Sequence, residues 1–246
     1  GPMTRTVGDA ALMFSAIVGQ DPADPWSIAL PADAQQQGLV PVSVDGLRLG
    51  VVRRHFFAGD ANVIGVVDQA IEQLVAKGAT TVALDVPDIE AAYAACRRVF
   101  LEAGALHADA LQARPDDFSN PLRQKLIAAT QISGQDYARD QDYRHAFRTR
   151  MDQLLDQCDV LVTPTACVPT PEIDSLGEAF FSGSPRNTNI SDFTGQPSIS
   201  VPCGFDHNAM PVGIMLTGRR FSDWRLLSQA RAIEGVLGVF DQPPGY

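Results

Sequence analysis

Leu47-Arg48-Leu49-Gly50-Val51-Val52, a run from Asp60 to Gly78, and then Thr80-Thr81-Val82-Ala83-Leu84 form the stretch that decides the fold. The outer pieces are short, rich in β-branched residues and leucine, and bounded by loop-forming residues, as strands are. Between them Val63, Val67, Ala70, Ile71 and Leu74 recur at three- and four-residue steps. That spacing puts them on one face of a helix over about 60–77. Gly78 ends the helix, and Lys77 places a cation where the helix dipole favours one. Strands joined through a helix of this length form a parallel β-α-β unit, with a right-handed crossover.

Upstream, Thr6 caps a helix over 7–18, with Gly19 as its left-handed terminator. Asp21-Pro22-Ala23-Asp24-Pro25 turns the chain, because proline fixes φ and aspartate accepts local backbone N–H bonds. Residues 27–45 read as a long surface loop. Downstream, the middle of the chain is helical over 89–111, 121–133 and 136–156. The last of these carries Tyr143, Phe147, Met151 and Leu154 on one stripe. Residues 159–163 form a buried strand; Pro164, Pro169 and Pro171 stop it and open a loop to about 189. Strands over 198–201 and 212–216 flank a turn around 206–209, a hairpin pattern. Ser222 caps a final helix through Glu234. Helices interleaved with short strands give the fold class α/β, as a single domain over residues 1–246.

The 246 residues are 45% apolar and 20% charged, enough for a sizeable core. Nineteen basic against twenty-nine acidic side chains give a net charge of −10, which argues against a surface that tracks phosphates and so against nucleic acid as a partner. No stretch approaches the roughly 20 apolar residues that span a bilayer. The N-terminus lacks the basic-then-apolar order of a secretory signal. The expectation is a cytoplasmic protein with no membrane partner. Cys96, Cys158, Cys167 and Cys203 are widely spaced, with no C-x-x-C pair, and read as small buried hydrophobes with inert thiols.

Motifs that carry chemistry are scarce. There is no G-x-S-x-G elbow. Ser182-Gly183-Ser184 lies in a proline-bounded loop without the strand-to-helix frame a nucleophile needs. Lys77 and Lys125 are the only lysines, the second on a charged, solvated helical stretch. His55, His107, His145 and His207 match no metal-ligand spacing. Asp116-Asp117 follows Pro115 as a solvated helix entry. No phosphate loop or dinucleotide fingerprint is present, so no metal and no cofactor is expected.

Several strings, taken together, resemble the carboxy-terminal half of the amidase signature family. The first is Gly1-Pro2-Met3-Thr4-Arg5-Thr6-Val7-Gly8-Asp9-Ala10-Ala11, followed by Asp21-Pro22-Ala23-Asp24-Pro25. Asp159-Val160-Leu161-Val162-Thr163-Pro164-Thr165 is the next. Thr194-Gly195-Gln196-Pro197-Ser198-Ile199-Ser200-Val201-Pro202-Cys203-Gly204-Phe205 and Met210-Pro211-Val212-Gly213-Ile214 complete the set. The resemblance implies part of a large α/β fold around a mixed sheet flanked by helices. It also implies hydrolysis of carboxamides by a serine, a second serine and a lysine. Those residues precede the first string in the family, so no catalytic residue is carried over, and this stretch is expected to be inactive alone.

The family often has asparagine where Asp192 stands; a carboxylate only accepts hydrogen bonds, whereas an amide also donates. An Asx-turn role is one reading of Asp192 and a pocket-facing role another. Asp192, Phe193 and Thr165 are the candidate substrate-binding residues that the resemblance implies, with a small amide as the substrate of the full-length enzyme. Two alternatives stand beside this reading: a free-standing binding module on the same scaffold, and a component of a larger assembly that resembles the glutamyl-tRNA amidotransferase A chain. A half-fold would leave a strand edge bare, so self-association or a missing amino-terminal half is expected.

Overall fold

The computed structural model describes residues 1–31, 38–99, 101–175 and 185–238. Its strands are β1 (Arg48–Val52), β2 (Thr80–Leu84), β3 (Val160–Pro164), β4 (Ser198–Phe205) and β5 (Pro211–Thr217). Its helices are α1 (Val7–Ile17), α2 (Ala61–Ala76), α3 (Ile89–Val99), α4 (Leu101–Leu106), α5 (Ala108–Ala113), α6 (Asn120–Ala129), α7 (Gly134–Leu155), α8 (Thr188–Thr194) and α9 (Asp223–Leu237). The strands form one mixed sheet in the order β2-β1-β3-β5-β4. β1 runs parallel to β2 and β3, whereas β5 is antiparallel to both β3 and β4. The α/β class and the mixed sheet flanked by helices are thus both present.

The β1-α2-β2 unit has the expected form. Asp60 accepts from the backbone N–H groups of Asn62 and Val63 at the N-cap of α2. The five apolar residues of the helical stripe are its buried face. Gly78, at φ +96°, ends it; a Cβ there would meet Asp45 as well as the left-handed backbone. Asp206 Oδ1 accepts from the N–H groups of Asn208 and Met210 and so closes the β4–β5 hairpin turn.

Other expectations need correction. The helix over 89–111 is not one rod, because the chain turns at His107, where φ is −98° and ψ 6°. There α4 sets Gly104 against α6, and a Cβ would lie 3.2 Å from both Leu126 O and Ala129 Cβ. Gly19 is not a left-handed helical cap: the N–H of Val18 closes α1 onto Phe14 O, and Gly19 has φ +154°. Ser222 precedes the last helix but does not cap it, since its hydroxyl donates back to Arg219 O. The loop after β3 contains α8, and Asp192 stands within that helix rather than at an Asx turn. At the edge of the sheet, β4 alternates between buried and more exposed residues. Ser182-Gly183-Ser184 lies outside the described residues.

Strand alternation gives the sheet two different sides. Leu49, Val51, Val160, Val162, Ile214, Leu216, Val201 and Cys203 point to the side covered by α1, α2 and α9, and join one mainly aliphatic core. Val52 and Leu161 point the other way, into a core with Phe56, Phe147, Phe193, Met151 and Ile89 under α3, α7 and α8. On that second side the sheet turns polar toward β4, through Thr163, Thr217, Ser198 and Ser200. Among the described residues, no helix is long and apolar enough to cross a membrane. All four cysteines carry free thiols. Burial pushes Cys96 and Cys158 up to about 11 and Cys203 to about 12, so their thiolate fraction at neutral pH is small.

Candidate functional site

In open α/β sheets, ligands settle at the carboxyl ends of the strands, where loops rather than ladders meet the surface. Here the parallel strands are β1, β2 and β3, and the loops that leave β1 and β3 meet. The chain leaving β1 turns through His55, a buried residue at φ +70°, and reaches Asp60. The chain leaving β3 passes through Thr165 to Cys167, whose carbonyl accepts from Asp60 N at 2.8 Å. These two loops touch so closely that a Cβ on Gly59 would lie 2.3 Å from Cys167 O.

Thr165 is half-buried. Its N–H donates to Gly213 O at 3.0 Å, which extends the β3–β5 ladder by one bond. Its hydroxyl pairs with Ser200 Oγ on β4 at 2.7 Å. Gly213 leaves room for that pair, because a Cβ there would lie 2.4 Å from Ser200 Oγ and 2.9 Å from Thr165 Oγ1. Two residues along the same face, Ser198 Oγ lies 2.7 Å from Ser191 Oγ on α8 and 2.8 Å from Thr217 Oγ1. A row of hydroxyls in two clusters, Thr165–Ser200 and Ser191–Ser198–Thr217, therefore lies along one face of β4. Each such group can donate one hydrogen bond and accept two, so a hydroxyl pair keeps capacity for a ligand that does both.

Asp192 follows Ser191 on α8 and is exposed beside it. Desolvation by the protein around it raises its carboxyl above the usual range, with no compensating bond to lower it. Phe193 lies elsewhere. It is 2% exposed, its ring centroid is 6.4 Å from that of Phe147, and the Arg144 guanidinium lies 5.8 Å from its ring. Arg144 Nε donates to Phe193 O at 2.6 Å and Arg148 Nε to Thr194 O at 2.8 Å, so two cations meet carbonyls at the C-terminal end of α8, where the dipole is negative. The structure thus sets Thr165 and the helix that carries Asp192 against two hydroxyl clusters two residues apart on β4, and buries Phe193 as packing against Phe147.

Sequence reasoning missed a second group. His55 Nδ1 lies 2.9 Å from Glu90 Oε1, and Arg186 Nη2 lies 3.0 Å from the same oxygen. The His55 bond, aided by Arg186, holds the Glu90 carboxyl below its ordinary value. Next in the chain, Asn187 is 1% exposed and donates to Phe56 O at 2.9 Å and Pro164 O at 2.7 Å. No local pattern announces either group, because their partners lie far away in the chain. Among the described residues, no three or more His, Cys, Asp or Glu side chains are arranged to hold a metal ion.

The amidase family model matches residues 1–227. An amidase of Pseudomonas putida is 32% identical over 95% of this chain and 52% of its own length. The A-type chain of the glutamyl-tRNA(Gln) amidotransferase of Microcystis aeruginosa is 30% identical over 100% of this chain and 56% of its own. The crystal structure of a bacterial aryl acylamidase of the amidase signature family superposes with a TM-score of 0.76 at 25% identity, covering 96% of this chain and 52% of that one. This chain spans about half the length of these relatives.

Proposed function

The chain belongs to the amidase family, and on that premise we propose that residues 1–246 act as one domain, the substrate-pocket half of an enzyme that hydrolyses a small carboxamide. The observation that carries this reading is the set of hydroxyls that runs from Thr165, just past the end of β3, back along β4 to Ser198. Thr165 and Ser200 pair across it, and Ser191 brings Asp192 to its other end. A carboxamide offers N–H donors and a carbonyl acceptor, and hydroxyl pairs can answer both. Phe193 serves as the floor that fixes α8.

In this reading the nucleophile, its base and the oxyanion donors come from a complementary half, and this stretch alone turns over no amide. That half would cover the free edge of β4, along which runs a cavity of about 570 Å3 lined by Thr4, Val7, Phe14, Ser200, Pro202 and Leu226. Left uncovered, the edge favours self-association. The free thiols agree with a cytoplasmic setting. The amidotransferase relative supports membership of a larger assembly as a second reading. The net charge of −10 would then leave RNA contacts to a partner.

Titration with benzamide, followed by backbone amide NMR, tests the site. Shifts should concentrate at Thr165, Ser200 and Asp192, and Thr165→Val or Ser200→Ala should weaken binding by about fivefold to tenfold, the equivalent of one hydrogen bond. Shifts confined to Thr4, Val7, Phe14 and Leu226 of the β4-edge cavity, with none at Thr165 or Asp192, would remove the hydroxyl row from the substrate site.

A further inference from the structure

Asn187 occupies the N-cap position of α8, yet its side chain makes no cap. An asparagine there ordinarily bonds the first turn of its own helix. Instead the residue has helical φ and ψ (−80°, −40°), and its amide turns inward. Nδ2 donates to Phe56 O at 2.9 Å and Pro164 O at 2.7 Å, and lies 3.5 Å from Cys167 Sγ. Cys167 Sγ in turn donates to Phe56 O at 2.8 Å. Both amide hydrogens are therefore engaged with carbonyls of two different segments. The opposite amide orientation would set Oδ1 against the same two carbonyl oxygens, so the network itself fixes which way the side chain points.

The segments it joins are the ones that frame the site. Phe56 lies in the loop after β1, Pro164 is the last residue of β3, and Asn187 itself begins the approach to Ser191 and Asp192. Thr165 follows Pro164 directly, so its backbone is held from one side by Asn187 and from the other by Gly213 O. Asn187 is 1% exposed, and its Oδ1 is buried with no hydrogen-bond partner among the described residues. A buried acceptor left so costs stability, which the two bonds from Nδ2 offset.

We infer that Asn187 is a positioning residue: it clamps the ends of β1 and β3 to α8 and so sets the spacing between Thr165 and Asp192 at which a carboxamide is gripped. This rests on the substrate reading above, but the clamp can be measured without it. Leucine has the same branched outline as asparagine and donates nothing. In Asn187→Leu, hydrogen exchange at the Thr165 N–H should accelerate by about tenfold relative to Val162 at the centre of β3, and benzamide affinity should fall by about tenfold, the equivalent of the one substrate hydrogen bond whose geometry the clamp sets. If Asn187→Leu does not fold, Asn187→Asp, which keeps the shape and at most one donor, goes through the same two measurements. Unchanged exchange at Thr165 in a folded variant would overturn the clamp. Faster exchange with unchanged benzamide affinity would overturn its role in the site. If the unsubstituted chain binds no benzamide, the substrate reading fails, and the exchange ratio alone still decides whether Asn187 holds Thr165.

Discussion

The two sides of the sheet solve the same burial problem with different chemistry. The side under α1, α2 and α9 is closed mainly by aliphatic side chains, drawn from every strand except β2. The other side stacks aromatic rings, with Tyr143 and Phe147 at 6.0 Å and 17°, and Phe147 against Phe193. It then adds charged side chains that reach in, among them Arg144 and Arg148 to the carbonyls of α8 and Arg98 to Asp140. Aliphatic packing is non-directional, so it fixes volume more than angle. Hydrogen bonds and ring contacts fix angle, and the side that needs a defined geometry is the one that carries the candidate site.

The largest expected effect separates the two cores. Leu74 and Phe147 are both 0% exposed, one on each side. Leu74→Ala should cost about 2–5 kcal/mol and Phe147→Ala about 3–5 kcal/mol in urea unfolding. Only Phe147→Ala should also weaken benzamide binding, because Phe147 supports Phe193 beneath α8. Equal losses of affinity in both variants would erase the distinction between the sides.

A smaller effect concerns the inward-reaching charges. The Asp140 carboxylate is 7% exposed and accepts from Arg98 Nε and Nη2 at 2.6 Å, while the Arg98 side chain is 44% exposed. Solvent screening at the arginine discounts the pair, so Asp140→Ala should cost about 1–2 kcal/mol rather than the larger loss seen when a fully buried pair is broken. A melting temperature unchanged within error would mean that this side tolerates loss of its ion pairs and owes its geometry to the rings alone.

The smallest effect is a difference in pH slope between two aspartates. Burial by itself would push the Asp159 carboxyl up, but bonds from the Arg48 side chain and backbone N–H, with the charge of Arg225, bring it below its ordinary value. Its contribution to stability is present above the unfolded-state pKa and is lost as pH falls through the lower folded value. Asp192 is shifted the other way by desolvation. Its ionisation costs nothing at low pH, and the cost sets in as pH rises from the unfolded value through the raised folded one. Asp192→Asn should therefore raise the melting temperature slightly at neutral pH and leave it unchanged well below the carboxylate range, while Asp159→Asn should lower it at neutral pH. Parallel pH profiles for the two variants would refute the opposite signs.

The difference between the sides also explains what the sequence could convey. The strand-helix-strand unit was legible because its signals are local: an aspartate cap, five apolar residues at helical steps, a glycine stop. The stripe on α7 was legible for the same reason. α8 was not, since seven residues give too little periodicity to stand out in a proline-rich stretch; the cue was Gly195, which closes the helix at φ +79°. Thr165 and Asp192 came from family resemblance rather than from any chemistry visible in their neighbours. His55 stood out only as a histidine without metal-ligand spacing, Ser200 only as part of a family string, and Asn187 not at all, because what singles them out is a set of contacts with residues distant in the chain.

The place of β3 in the sheet has a kinetic consequence. The units β1-α2-β2 and β4-β5-α9 are each built from neighbouring segments, and nucleation within them needs only short loops. β3 lies between them, with Val160 opposite Leu49 and Leu216 opposite Val162, so the sheet becomes continuous only when the helical middle of the chain has closed a long loop. Such closure carries most of the entropic barrier, and topologies of this kind fold slowly. Two preformed ends awaiting one central strand make β3 the step at which collapse turns into a native sheet, and the Pro164–Asn187 bond at its tip can form only after that step.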